Sequence, residues 1–227
     1  KEPLLFEPGT KWQYGVSTDV LGRVVERVSG QNLEEYFQQH IFSPLGMRET
    51  TFFPHPALRA RIAKKAVRQR DGTYIEEHVP VPPDISPAGG GGLFSTATDY
   101  VKFMQMLLRG GQGIVRRETV ESMRRNQIGA LNVRRMISNN PAVTRDFGFH
   151  IEGGDKFGLG FQINRIPYSN GRAANSMAWA GLWNTFFWID PKSDLCAVVL
   201  MQSSPFFDEP AIRTLQEFEA AVYKHKH

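Results

Sequence analysis

Apolar positions follow a helical period through the first two thirds of the chain and a strand period after that. In "STDVLGRVVERVSG", residues Val20, Leu21, Val24, Val25 and Val28 recur at i, i+4 spacing, which predicts an amphipathic helix with those side chains buried. Ser17 or Thr18 can cap its start, Asp19 suits the positive end of its dipole, and Gly30 stops it. The next segment, "NLEEYFQQHIFSPLGM", opens on Asn32 as a cap. It stacks Leu33, Tyr36, Phe37, His40 and Ile41 on one side and ends at Pro44 and Gly46. A third helix is predicted after "STATD", with Tyr100, Phe103, Met104, Leu107 and Leu108 on one face and Gly110 and Gly111 at its close. A basic helix from about Arg116 to Asn126 follows, then a weakly patterned region up to Glu152.

Beyond that point the period changes. "FGLGFQIN", "NTFFWID" and "LCAVVLMQ" alternate or run apolar at strand length, with "NGR" and "PKSD" as turns. A last helix, Glu209 to Lys224, offers Ile212, Leu215, Phe218 and Val222 as its buried stripe. Helices followed by antiparallel strands and a terminal helix predict an α+β fold. Residues 1–150 form the mostly helical region and residues 151–227 the strands with the C-terminal helix.

Composition narrows the picture little. The 227 residues, 41% hydrophobic and 22% charged, can build a real core in one large or two small domains. No apolar run reaches the roughly 18 residues that a membrane-spanning helix needs. The net charge of +4 comes mainly from "RARIAKKAVRQR", Arg59 to Arg70, six cations without an acid. With no zinc finger, recognition helix or interleaved aromatics beside it, this run reads as a solvated basic helix face, and nucleic acid is not an expected partner. "VPVPP" reads as an extended, proline-stiffened connector. Cys196 sits in an apolar strand and reads as core packing.

Chemistry has few candidates. The six histidines are scattered, without metal-ligand spacing, and the terminal "KHKH" reads as a frayed tail. The "GGGG" run at 89–92 lacks the Lys-Ser/Thr of a phosphate cradle and reads as a turn where backbones approach closely. No carboxylate pair stands out, and neither metal nor cofactor is expected. What is left is Tyr14, between a Pro-Gly loop and a helix start, and the Trp-Ala-Gly turn at 179–181. The tyrosine hydroxyl can lie beside the positive end of the helix, or its ring can simply pack under the loop.

Three stretches carry a resemblance: "FEPGTKWQYGVSTDVLGRVVERVSGQNLEEYFQQHIFSPLGM", "GGGGLFSTATDYVKFMQMLL" and "WAGLWNTFFWIDP". In this order and spacing they resemble the serine β-lactamase-related superfamily. Within it they are most similar to the esterases related to class C β-lactamases, the family VIII carboxylesterases. The resemblance implies a β-lactamase/transpeptidase-like fold and acyl transfer, in which the serine of an S-x-x-K motif attacks a carbonyl. Tyr14 in "YGVS" then stands at the second motif, where a tyrosine helps the motif lysine handle the proton. Trp179, Ala180 and Gly181 stand at the third, on an edge strand lining the cleft. The N–H of Leu182 would be one of two oxyanion donors, and Gly181 would leave room for the acyl group. Trp179 in place of a lysine or histidine argues for uncharged esters over penicillins, with a β-lactam kept as the second, weaker substrate class that the resemblance implies.

One part of the pattern is missing. No serine of the chain has a lysine three positions later. The resemblance places that motif well before the tyrosine, so the chain is expected to be the C-terminal part of a serine hydrolase. It is then an incomplete fold, inactive alone, with apolar surface and sheet edge awaiting the N-terminal portion or a second copy. The other reading is a relative that keeps the cleft as a binding or assembly module without catalysis. An S-x-x-K motif in the full-length sequence separates the two.

Overall fold

A five-stranded antiparallel sheet organises the second half of the chain, in the order β3-β4-β5-β6-β7. Its strands are β3 (Lys156–Phe157), β4 (Gln162–Ile163), β5 (Met177–Gly181), β6 (Thr185–Asp190) and β7 (Leu195–Leu200). The computed structural model describes residues 3–81, 86–149 and 151–225. Residues 82 and 83 of the "VPVPP" connector, His150 and the last two residues of "KHKH" lie outside these.

Successive side chains of a strand point to opposite faces, so β6 feeds two cores at once. Phe186 and Trp188 join Phe147, Phe149, Phe206 and Leu215, the last from helix α7 (Glu209–Lys224). Ile189 faces the other way. It packs with Met177, with Met104, Met106 and Leu107 of α5 (Ala97–Leu108), and with Val120 of α6 (Arg117–Met123). Each large side chain buried in this way stabilises the fold by roughly 1.5–3 kcal/mol. Cys196 lies on the α5 side, as core packing predicts.

Buried polar groups fix the sheet to α7. Arg172 and Glu219 form an ion pair at 2.6 Å with both side chains almost fully enclosed. Asp190 accepts from the Ala173 N–H at 2.9 Å and the Tyr223 hydroxyl at 2.8 Å. That hydroxyl in turn accepts from the Trp188 indole at 3.1 Å.

The first half holds α1 (Ser17–Ser29), then α2 (Leu33–Phe37), which continues through a π-helical turn, Gln38–Phe42, into α3 (Ser43–Leu45). Asn32 caps α2, as predicted, and with Glu35 it completes a capping box. Thr96 caps α5 by accepting from the Asp99 N–H. The glycine run behaves as a close-approach turn. A Cβ on Gly89 would stand 2.0 Å from the Thr18 carbonyl oxygen, and the Gly90 N–H donates to Asp19 at 3.0 Å.

Four expectations are corrected. The cap of α1 is Val16, and neither Ser17 nor Thr18 caps it; Asp19 does lie in the first turn, as expected, and also accepts from the Gly90 N–H of the glycine turn. The apolar stripe of α1 is not buried, for Val20, Leu21, Val24 and Val28 are 60, 59, 50 and 83% exposed. Only Gly22 is buried on this helix, because that side packs on Gly89 and Leu33. The basic run is not a helix face. It passes from the short helix α4 (Pro56–Arg59) into strand β1 (Lys65–Arg68), which pairs with β2 (Tyr74–Glu77) and β8 (Ser203–Ser204). Cross-strand pairs explain why: Lys64 bonds Glu76 and Lys65 bonds Glu77, each at 2.7 Å, while Arg68 reaches Asp208. Finally, β5 is the central strand of its sheet, not an edge.

Candidate active site

The central position of β5 hides a local edge. Strand β4 covers only Met177 and Ala178, whereas β6 pairs along the whole strand as far as Gly181. From Trp179 to Gly181 the β4 side of the strand is therefore open among the described residues, and this is the segment that the sequence singled out.

The loop before α1 brings Tyr14 to that opening. Its ring lies 4.8 Å from the Trp179 ring, tilted by 50°. Trp12, two residues earlier, lies 5.2 Å from Phe157 of β3. The Trp179 indole also meets Phe157 edge-on at 5.1 Å and Phe147 edge-on at 5.5 Å. Three rings thus fix the indole, each pair stabilising by about 0.5–1.5 kcal/mol beyond its buried area. Tyr14 is 38% exposed, so its ring is not packed away beneath the loop.

At Gly181 the nearest obstacle belongs to the protein itself. A Cβ there would stand 2.4 Å from Oγ1 of Thr185, its cross-strand partner. Thr185 thus disfavours a side chain at this position even before any ligand is considered. The next residue, Leu182, is 46% exposed at the head of the turn. Among the described residues its N–H has no backbone or side-chain acceptor. Ala180 packs against the aromatic core with Trp179.

All five sequence-selected residues therefore lie together: Tyr14, Trp179, Ala180, Gly181 and Leu182. The sequence did not single out Phe147 and Phe157, the rings that seat the indole. Their only signal was an excess of aromatics around glycines. Trp12, read from the sequence as delivered with Tyr14 by the opening loop, packs on Phe157. Two clefts, of about 630 and 590 Å³, lie elsewhere. The first runs between Arg135 and Arg145 and the start of α7, the second beside Asp99 and Lys102.

A helical region, an antiparallel sheet closed by a terminal helix, and a tyrosine loop meeting a strand end define a β-lactamase/transpeptidase-like fold. A family model described as Beta-lactamase matches residues 1–221, and the chain belongs to that family, within the serine β-lactamase-related superfamily. It is 32% identical to the monacolin J acid methylbutanoyltransferase of Aspergillus terreus, over 97% of this chain and 56% of that protein. It is 29% identical to the lovastatin esterase of Penicillium rubens, over 98% of this chain and 58% of that protein. Unliganded simvastatin synthase from Aspergillus terreus superposes with a TM-score of 0.79 at 27% identity, over 99% of this chain and 57% of that one. The chain thus spans a little over half the length of the relatives it matches.

Proposed function

We propose that residues 1–227 are the tyrosine-bearing portion of a serine esterase that cleaves uncharged carboxylic esters through an acyl-enzyme. The observation that carries this reading is the 4.8 Å contact between Tyr14 and Trp179. The two stand side by side on the stretch of β5 that β4 leaves unpaired, with the Leu182 N–H at its end unpartnered among the described residues. In this reading the serine and its lysine come from outside these residues, since no serine here has a lysine three positions on.

The chemistry follows from the placement. The serine oxygen attacks the ester carbonyl, and its proton passes to the lysine–Tyr14 pair. The carbonyl oxygen, now an anion, settles against the Leu182 N–H and the N–H of the nucleophile, each donor supplying on the order of 3 kcal/mol in the transition state. Collapse breaks the bond to the alcohol oxygen, which takes the proton by way of the Tyr14 hydroxyl. Water then attacks the acyl-serine, returning the serine and releasing the acid. An acceptor alcohol in place of water gives acyl transfer, a second reading favoured by the relative named as a methylbutanoyltransferase. Trp179 gives the site an apolar wall without a cation, which favours neutral esters over the carboxylate of a β-lactam.

The exposed stripe of α1 supports the same reading. Four apolar side chains at helical spacing make a face suited to burial against the remainder of the full-length protein, with a second copy as the competing occupant. No cofactor takes part in this chemistry. The test is a p-nitrophenyl ester assay: the full-length protein should show a burst of nitrophenol equal to one per active site, and residues 1–227 alone none. A full-length protein without esterase activity and without an S-x-x-K motif overturns the reading in favour of a non-catalytic module.

A further inference from the structure

The β5–β6 turn consists of Leu182, Trp183 and Asn184, and its last residue has a left-handed backbone with φ 58°. Three-residue hairpin turns commonly end this way, and glycine or asparagine fills the position. Here the side chain is 1% exposed and bonded throughout. Its Nδ2 donates to the Pro205 carbonyl at 2.9 Å and to the Ser203 carbonyl at 3.1 Å, with the Ser203 hydroxyl at 3.2 Å. Its Oδ1 accepts from the Phe207 N–H at 2.8 Å. The Ser203 N–H closes the contact by donating to the Trp183 carbonyl at 2.9 Å.

The loop held in this way is strained. Gln202 and Phe207 have φ of 47° and 59°. Such conformations cost of order 1–3 kcal/mol per residue and persist only where the surroundings impose them. The rings they orient stand behind the candidate site: Phe206 and Phe207 lie 5.1 and 4.9 Å from Phe147, which supports Trp179. One buried amide therefore fixes two things: the turn that aims the Leu182 N–H, and the aromatic stack that seats the indole beside Tyr14.

We propose that Asn184 is a positioning residue for acyl transfer, setting the direction of the Leu182 amide and the seat of Trp179 together. The inference rests on the esterase reading of this site. Asn184→Gly keeps the left-handed turn, which glycine adopts freely, and deletes all the side-chain bonds. Asn184→Asp keeps the shape and the acceptor for Phe207 but turns a carboxylate toward two carbonyls.

The experiment compares full-length wild type and Asn184→Gly on an oxygen ester and its thiono analogue, whose sulfur is a poor hydrogen-bond acceptor. Asn184→Gly should lower kcat for the oxygen ester about tenfold or more, with KM within about twofold, because a misdirected donor loses part of what a removed one loses. The thiono ester should lose much less. A merely structural defect would lower both rates alike through the folded fraction, so equal losses, or none, overturn the inference. If the glycine variant lacks the native near-UV circular dichroism spectrum, Asn184→Asp carries the same comparison with the same expected difference. An inactive wild type would refute the esterase reading instead, so the two failures are distinguishable.

Discussion

At Gly181 two demands fall on one residue, and they can be separated. A methyl group there meets Thr185 Oγ1 at 2.4 Å. Gly181→Ala should therefore destabilise the chain by about 1–3 kcal/mol, as overpacking does, read by urea denaturation. Adding Thr185→Ala removes that oxygen and should restore most of the stability. If the acyl group lies along the same strand, esterase activity of the full-length double variant should stay low; full recovery would leave Gly181 with only a hairpin role. Tyr14→Phe in the full-length protein should cut kcat by about 10²- to 10⁴-fold, the usual contribution of a positioned proton donor and acceptor, with the melting temperature unchanged. A loss under twofold would exclude the hydroxyl from proton transfer. The neighbourhood of Tyr14 and the Trp-Ala-Gly turn was legible only through the resemblance. By local pattern alone a tyrosine between a Pro-Gly loop and a helix reads equally as a ring packed under the loop; the 4.8 Å contact with Trp179 now places the two together. Asn184 was not legible, because its importance comes from the Ser203–Phe207 loop that folds back on it, which no local pattern announces.

Among the elements, α7 was readable to its ends, and the core covers Ile212, Leu215 and Val222 of its stripe, whereas Phe218, read as buried, is exposed. The α1 stripe was read as a buried helix by the same helical spacing, and there no partner face covers it among the described residues. The β1–β2 hairpin escaped the reading because six cations outweighed the Asp71-Gly72 turn signal, although Gly72 takes the expected positive φ of 88°. The junction of β6 with α7 yields a pH prediction. Burial alone would raise the Asp190 carboxyl, but hydrogen bonds from Ala173, Tyr223 and Ser193 outweigh it and hold the group below the usual carboxylate range. A lowered native pKa stabilises the fold at neutral pH, and that contribution is lost as pH falls below about 4 toward the native value. Asp190→Asn should cost about 1.5–3 kcal/mol at pH 7 and flatten the acid limb of the stability curve; an unchanged limb would exclude this role. Glu219→Ala, which strands the buried Arg172, should cost about 3–5 kcal/mol by the same denaturation measurement.

Among the described residues, a sheet has both faces covered, α1 has its apolar stripe exposed, and Tyr14 and Trp179 form the proposed catalytic wall. Residues 1–227 alone should self-associate and bind a hydrophobic dye through Val20, Leu21, Val24 and Val28. Changing Val20 and Val24 to Lys should reduce both in sedimentation velocity and fluorescence; a dye-silent monomer from the unchanged sequence would contradict this. The account stands on a site completed by a serine that this chain does not hold. Labelling the full-length protein with a fluorophosphonate and mapping the adduct by mass spectrometry tests that most directly. The predicted result is one phosphonyl group, on a serine outside residues 1–227 whose third following residue is lysine. An adduct on a serine within residues 1–227, or no adduct on an active esterase, would contradict it.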